Sequence, residues 1–260
     1  WHTGIVDAAG TGGLLAHIDG RTAAKVAEWI AEQPDSWRAG ITHVTIDLSA
    51  SYLRAVSDAL PHAVVVADRF HLVRLANDML TQVRQHATRD VRGRRGRARD
   101  PELAGRRKLL LAHERLDPAA FAKLWNALID AGDPGIEILH AYTVKENLRH
   151  LLALSGTNPE RSLIRDRLWR LYEQAATSTS PEVHRFAATV EQWWPAIEAA
   201  IITNYSNARS EGYNRLAKHQ GRNAFGYRNV HNHRRAVRWA CTRQHRRASA
   251  AISKVPGQVR

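Results

Sequence analysis

Over the first third of the chain the apolar residues fall in short dense runs, and beyond it they recur at helical spacing. Thr3 to Val6 and Leu14 to Ile18 read as two strands joined through Gly10, Gly12 and Gly13, a hairpin signal. Between Arg21 and Glu32, Ala23, Val26 and Ile30 take the spacing of an amphipathic helix, and Gly40 closes the region. Ile41 to Leu48 (ITHVTIDL) is β-branched and largely apolar, as a buried strand should be, and runs through Asp47 to Ser49. Tyr52 to Leu60 predicts a helix that Pro61 stops, and Ala63 to Ala67 (AVVVA) a second buried strand ending at Asp68. Two buried strands linked by a helix predict an α/β core with those strands parallel.

From Phe70 onward the rhythm changes. Leu72, Leu75, Met79, Leu80 and Val83 form one helical stripe, which RGRRGRAR (Arg92 to Arg99) interrupts as a mobile basic loop would. Helical patterns continue to about Ile202, with breaks at Asp117-Pro118, Asp133-Pro134, Asn158-Pro159 and Ser180-Pro181. Each pair sets a capping residue before a proline at the first helical position. A last helix starts near Asn207, carries Ser210, Glu211, Asn214, Arg215 and Lys218 on one face, and stops at Gly221. The expected organisation is α/β over residues 1–85, a helical insertion over 86–202, and a helical C-terminal segment over 203–260.

Charge sharpens this picture. The chain carries 38 Lys and Arg against 25 Asp and Glu, a net +13, which points to a polyanionic partner. A charge serving solubility would be spread evenly. Instead, no acid follows Glu211, whereas twelve Lys and Arg do. A single cysteine, Cys241, excludes an internal disulfide framework and fits a reducing cytoplasm. No run approaches a membrane span, and no signal peptide is evident. The sequence opens at Trp1 rather than Met, directly at strand-like residues, and reads as a fragment.

Three carboxylates stand out by position. Asp47 and Asp68 each end a buried strand, where open α/β sheets bind their ligands. Glu211 sits on a helix among basic and amide side chains. Such a set suits Mg²⁺ or Mn²⁺, and two ions about 3.5–4 Å apart activate an attacking oxygen and stabilise a leaving one. The structural alternatives are concrete. A strand-end Asp is often a helix cap, Arg69 can pair with Asp68, and Arg215 can offset Glu211 at i+4. His231 and His233, at i and i+2, do not share a helix face and have no cysteine nearby, which argues against a zinc site there. Trp193 and Trp194 fall on a stripe with Val183, Phe186, Val190, Ile197 and Ile201, readable as core or as a base-stacking platform. Gly10 to Gly13 precedes a strand rather than a helix, so it is not a phosphate loop.

VTIDLSASYLRAVSDALPHAVVVADRFHLVRLAND (Val44 to Asp78) resembles the ISL-three family of insertion-sequence transposases. LLAHIDGRTAAKVAEWI (Leu14 to Ile30), the helical middle and NARSEGYNRLAKHQGRNAFGYRNVHNHRRAV (Asn207 to Val237) extend the likeness over nearly the whole chain. The resemblance implies an RNase H-like α/β fold with a large helical insertion, and a DDE enzyme that cuts and joins DNA with two Mg²⁺ or Mn²⁺ ions. Asp47 matches the second catalytic Asp and Glu211 the catalytic Glu, while Asp68 matches an Asp one strand later and is the third candidate metal ligand. The expected phosphate contacts are Arg92, Arg94, Arg95 and Arg97, within Arg92 to Arg99, and Arg215, Lys218, Arg222, Arg228, Arg234, Arg235 and Arg238, within the region from Arg215 to Arg247. The implied partners are double-stranded DNA, at element ends and target, and further copies of the chain in an active homo-oligomer. The family's first catalytic Asp lies on a strand ahead of Trp1. A sheet lacking that strand should leave Thr3–Val6 and Ile41–Leu48 with unpaired edges, so residues 1–260 alone are expected to aggregate or dimerise and to lack strand transfer. A non-catalytic DNA-binding remnant and a related nuclease are the alternative readings.

Overall fold

The computed structural model describes residues 2–10 and 13–242 and divides into two compact units, residues 1–66 with 205–260, and residues 67–204. The architecture is mixed α/β. In the first unit β1 (His2–Val6) and β2 (Leu14–Asp19) pair antiparallel, with His2 opposite Asp19 and an irregularity between Ile5 and Val6. Asp7 shapes the turn, because its carboxylate accepts the amides of Ala9 (3.3 Å) and Gly10 (2.7 Å). Helix α1 (Ala23–Ala31) starts at Thr22, whose hydroxyl accepts from the Lys25 amide, and it buries Val26 and Ile30 as the periodicity predicts. A short α2 (Asp35–Ala39) follows Pro34, where the apolar pattern gives no signal. Then come β3 (His43–Ile46), α3 (Ala50–Ala59) and β4 (Val64–Ala67). The Val64 amide donates to the Thr42 carbonyl at 2.9 Å, which sets the starts of β3 and β4 side by side, as in a parallel pair. Val26, Ile30, Ala55 and Leu60 form the core of this part, with Trp29, Val44 and Tyr52 packed around them. Among the described residues the strands form two separate pairs, β1 with β2 and β3 with β4.

The second unit is helical. Helix α4 (Arg69–Arg92) buries Leu72, Ala76, Met79, Leu80 and Val83 and ends at Gly93, whose φ of 59° is the left-handed cap that glycine adopts without strain. The arginine-rich segment beyond it is tied down, contrary to the mobile loop expected. Arg92 pairs with Glu102 at 2.8 Å and Arg94 with Asp100 at 2.8 Å, and both acids are buried. The Arg94 guanidinium and the Arg97 amide hold the Asp100 carboxyl down at about 2. Helices α5 (Pro101–Ala104), α6 (Pro118–Asp130), α7 (Asp133–Leu152), α8 (Arg161–Ala176), α9 (Pro181–Gln192) and α10 (Trp194–Thr203) complete the unit. α7 is central and packs on α4, α6 and α8. Gly135 permits its approach to α6, since a Cβ there would lie 1.7 Å from the Leu128 carbonyl oxygen.

Two of the four predicted proline starts differ. Asp133 lies inside α7 with Gly132 as its cap, and Asn158-Pro159 precedes the helix that begins at Arg161. The Trp193 stripe is split between α9 and α10, because Pro195 cannot continue a helix; Trp193 itself is buried core.

The chain then returns to the first unit as α11 (Ala208–Asn223) and α12 (Val230–Cys241). Gly221 does not stop α11. The reversal falls later, at Phe225 and Gly226, and the Gly226 amide returns to the Gly221 carbonyl at 2.9 Å. Val237 and Cys241 of α12 bury against Leu14, with Val6, Tyr213 and Ala217 around them. No described helix is long and apolar enough to cross a membrane.

One buried cation organises the helical unit. Lys145, on α7, is fully buried; its ammonium donates to the carbonyls of Leu109 (2.7 Å) and Leu111 (2.8 Å) and lies 2.7 Å from Glu146. It thereby supplies donors to a segment that lacks a helical ladder of its own. Lys145→Met would leave two carbonyls without their donor and Glu146 with Arg149 as its remaining cation, and the expected destabilisation is about 2–4 kcal/mol. Urea unfolding followed by tryptophan fluorescence measures it, and a change below about 1 kcal/mol would show that the buried ammonium contributes little.

Candidate active site

The first unit contains a cavity of about 520 Å³ lined by β1, β3 and the start of α11. Both strands contribute consecutive residues, from His2 through Val6 and from Thr42 through Asp47. A strand that presented one face would contribute every second residue, so it is the strand edges that border this space. Asp47 directly follows β3 and reaches the cavity at its carboxyl end.

Helix α11 supplies the other wall. Asn207 is its N-cap, yet its side chain makes no capping bond; its Nδ2 instead donates to Asp47 Oδ1 at 2.9 Å. Asparagine at this position ordinarily accepts from the first free amides of the helix. Here its side chain links residues 160 positions apart, which fixes the orientation of the Asp47 carboxylate. Glu211 lies one turn on, its amide donating to the Asn207 carbonyl at 3.1 Å. Ser210 and Asn214 of the same helix line the cavity, whereas Glu211 is half-buried and is not among the lining residues. Arg209 anchors the helix start through its guanidinium, which donates to the carbonyls of Asp7 and Gly10. The structure thus brings the helix of Glu211 to Asp47 through Asn207, a residue that the sequence pattern did not single out. Its signal was present in the capping position it occupies.

Asp68, described within the second unit, directly follows β4 and is buried at 4% exposure. It receives a hydrogen bond from His71 Nδ1 at 2.7 Å, one helical turn along α4. The spacing Asp68–His71 was readable in the sequence as an i, i+3 pair.

The expected phosphate contacts sort into two groups. Arg215, Lys218, Arg222, Arg228, Arg235 and Arg238 are exposed, on α11, α12 and the turn between them, and no acid occurs along that stretch. Arg92 and Arg94 are engaged by Glu102 and Asp100, whereas Arg95 and Arg97 are exposed. Arg234 is partly covered, 3.9 Å from Asp19. Arg247 lies outside the described residues.

Together these features define a basic, mixed α/β protein with a carboxylate at the end of a strand-lined cleft. The DDE transposase family ISL-three, described simply as "Transposase", matches residues 2–237, and the chain belongs to that family. It is 30% identical over 210 residues to the "Transposase for insertion sequence element IS1557" of Mycobacterium tuberculosis, in strains CDC 1551 / Oshkosh and H37Rv alike. The alignment covers 73% of this chain and 45% of those relatives, so the chain spans about half of their length. No solved structure matches it.

The Asn207–Asp47 hydrogen bond can be tested directly. Urea melts of Asp47→Ala, Asn207→Ala and the double variant should give a coupling of about 1 kcal/mol or more, as for a hydrogen bond to a charged group near the surface. Zero coupling would show that the two side chains do not meet in solution.

Proposed function

We propose that this chain is the larger part of the catalytic core of an insertion-sequence transposase with RNase H-like topology, cutting DNA at the element ends and joining it to a target. The observation that carries the reading is the Asn207–Asp47 hydrogen bond, which seats the start of the Glu211 helix beside a strand-end carboxylate. Asp47 and Glu211 are the proposed metal ligands, with Asp68 as the third candidate, oriented by His71. Carboxylate and amide oxygens are the donors that hard cations select, so the residues fit Mg²⁺ or Mn²⁺. When bound, such ions supply Lewis-acid stabilisation of charge at the phosphorus under attack. The protein's part is to orient the Asp47 carboxylate through Asn207 and to offer exposed guanidinium and ammonium groups to the DNA backbone. Double-stranded DNA is the proposed partner, with assembly of further copies at the paired element ends.

The test uses the whole protein, since the chain spans about half of its relatives' length. On a duplex carrying an element end, Asp47→Asn and Glu211→Gln should each lower metal-dependent cleavage by about 100-fold or more, through the removal of several kcal/mol of charge stabilisation. Binding to the same duplex should persist. Variants that cleave like the wild type would sink the assignment, and cleavage without joined products would make the protein a nuclease.

A second measurement addresses the basic helices. Arg215, Lys218 and Arg222 share one exposed face of α11. Replacing all three by alanine should reduce the slope of log affinity against log salt by about 0.9 for each phosphate left unneutralised. An unchanged slope in fluorescence anisotropy would show that other residues neutralise the phosphates.

A further inference from the structure

Three histidines from distant parts of the sequence meet at the open end of the β1–β2 hairpin. His2 stands opposite Asp19 in the register, and His17 lies two residues before Asp19 on β2. Cross-strand partners and i, i+2 neighbours project from the same face, so His2, His17 and Asp19 share one side of the ribbon. Helix α12 lays His233 on that side. The ring centroids are 4.7 Å apart for His2 and His17, 5.6 Å for His2 and His233, and 5.9 Å for His17 and His233. Tyr227 stacks on His233, with the ring centroids 5.0 Å apart and the planes 27° apart.

What these rings lack is a polar partner. His2 Nδ1, His17 Nδ1 and His233 Nε2 are all buried without a hydrogen bond among the described residues. His2 Nδ1 lies 3.5 Å from Asp19 Oδ1, an approach too poorly aligned to count as one. Buried polar atoms in native proteins are almost always satisfied, and three orphans in one cluster call for a common ligand.

We propose that His2, His17 and His233, with the Asp19 carboxylate as fourth donor, form a binding site for a zinc-class divalent ion. Three imidazoles and a carboxylate make a tetrahedral donor set of the kind Zn²⁺ takes, and imidazole nitrogen discriminates against Mg²⁺. With Zn–N near 2.0–2.1 Å, each ring centroid lies ~3.2 Å from the metal, and tetrahedral angles put the centroids ~5.2 Å apart. The three observed separations bracket that value. Closing the nitrogens on one ion therefore takes rotation about χ2, a soft torsion for histidine, and leaves the backbone where it is. Among the described residues Arg234 is the guanidinium that faces the cluster, 3.9 Å from Asp19 Oδ2, and it competes with the ion for that carboxylate. The ion would tie α12 to the hairpin, so its effect is structural and independent of the Asp47 chemistry.

The test titrates Zn²⁺ alone into the 260-residue chain by calorimetry, with Mg²⁺ in excess to occupy oxygen sites. One Zn²⁺ per chain is expected, with a raised melting temperature and, on Co²⁺ substitution, the visible absorption of a tetrahedral site. His17→Gln and His233→Gln should each weaken binding by about 100-fold or more. The exposed Asp19→Asn, which leaves folding intact, should weaken it about 10-fold, and Arg234→Gln should tighten it. Absence of Zn²⁺ binding by the wild type, or wild-type affinity in both histidine variants, would overturn the proposal. So would weaker binding in Arg234→Gln accompanied by stabilisation with inorganic phosphate, which would make the cluster an anion site.

Discussion

A single apolar cluster closes the first unit: Val237 and Cys241, from the end of the described chain, pack against Leu14 near its beginning. Bringing such distant segments together costs on the order of 5 kcal/mol in loop-closure entropy. Burying Leu14 and Val237 contributes about 1.5–3 kcal/mol each, and Tyr213 and Ala217 add further covered surface. The arrangement of both sites follows from this closure. Because α11 lies along β1, Asn207 reaches Asp47; because α12 lies along β2, His233 reaches His2 and His17. Neither polar cluster could assemble itself, since hydrogen bonds and ring contacts act only over the last few ångströms.

The helical unit relies on buried charge in a different way. Lys145 supplies donors to carbonyls that no helix or sheet satisfies, and Asp100 and Glu102 gather Arg92 and Arg94. Replacing such groups one at a time is expensive, because each leaves a partner uncompensated in a low-dielectric interior. These pairs also revise the meaning of the arginine-rich segment. Five arginines within eight residues suggest a free polycation, yet part of that charge is already neutralised by acids that follow closely in the sequence. The acid-free stretch of α11 and α12 has no such partners along it, which is why the exposed charge concentrates there.

Asn207 links Asp47 to the start of the Glu211 helix, its side chain donating to the Asp47 carboxylate and its carbonyl accepting the Glu211 amide. An N-cap side chain diverted from its own helix to a carboxylate is a local stability sacrifice. Such departures gather at functional sites, where orientation matters more than helix propensity.

Much of this was determined by the sequence itself. Periodicity and β-branching placed β1, β2, β3, β4 and α1 close to where they lie, because side-chain burial on one face of a short element is a local signal. The strand-end positions of Asp47 and Asp68 and the acid-free basic stretch were equally plain. Local pattern failed where tertiary contact decides. Gly221 read as a helix stop, but packing carries α11 through it, and Pro195 divides a stripe whose apolar spacing looks continuous. The histidines show the limit most clearly. Seen beside His231, His233 has no partner of suitable spacing; its neighbours in space are His2 and His17, more than two hundred residues away in the chain. Spacing reveals which residues share an element, whereas only the closure of the fold decides which elements meet.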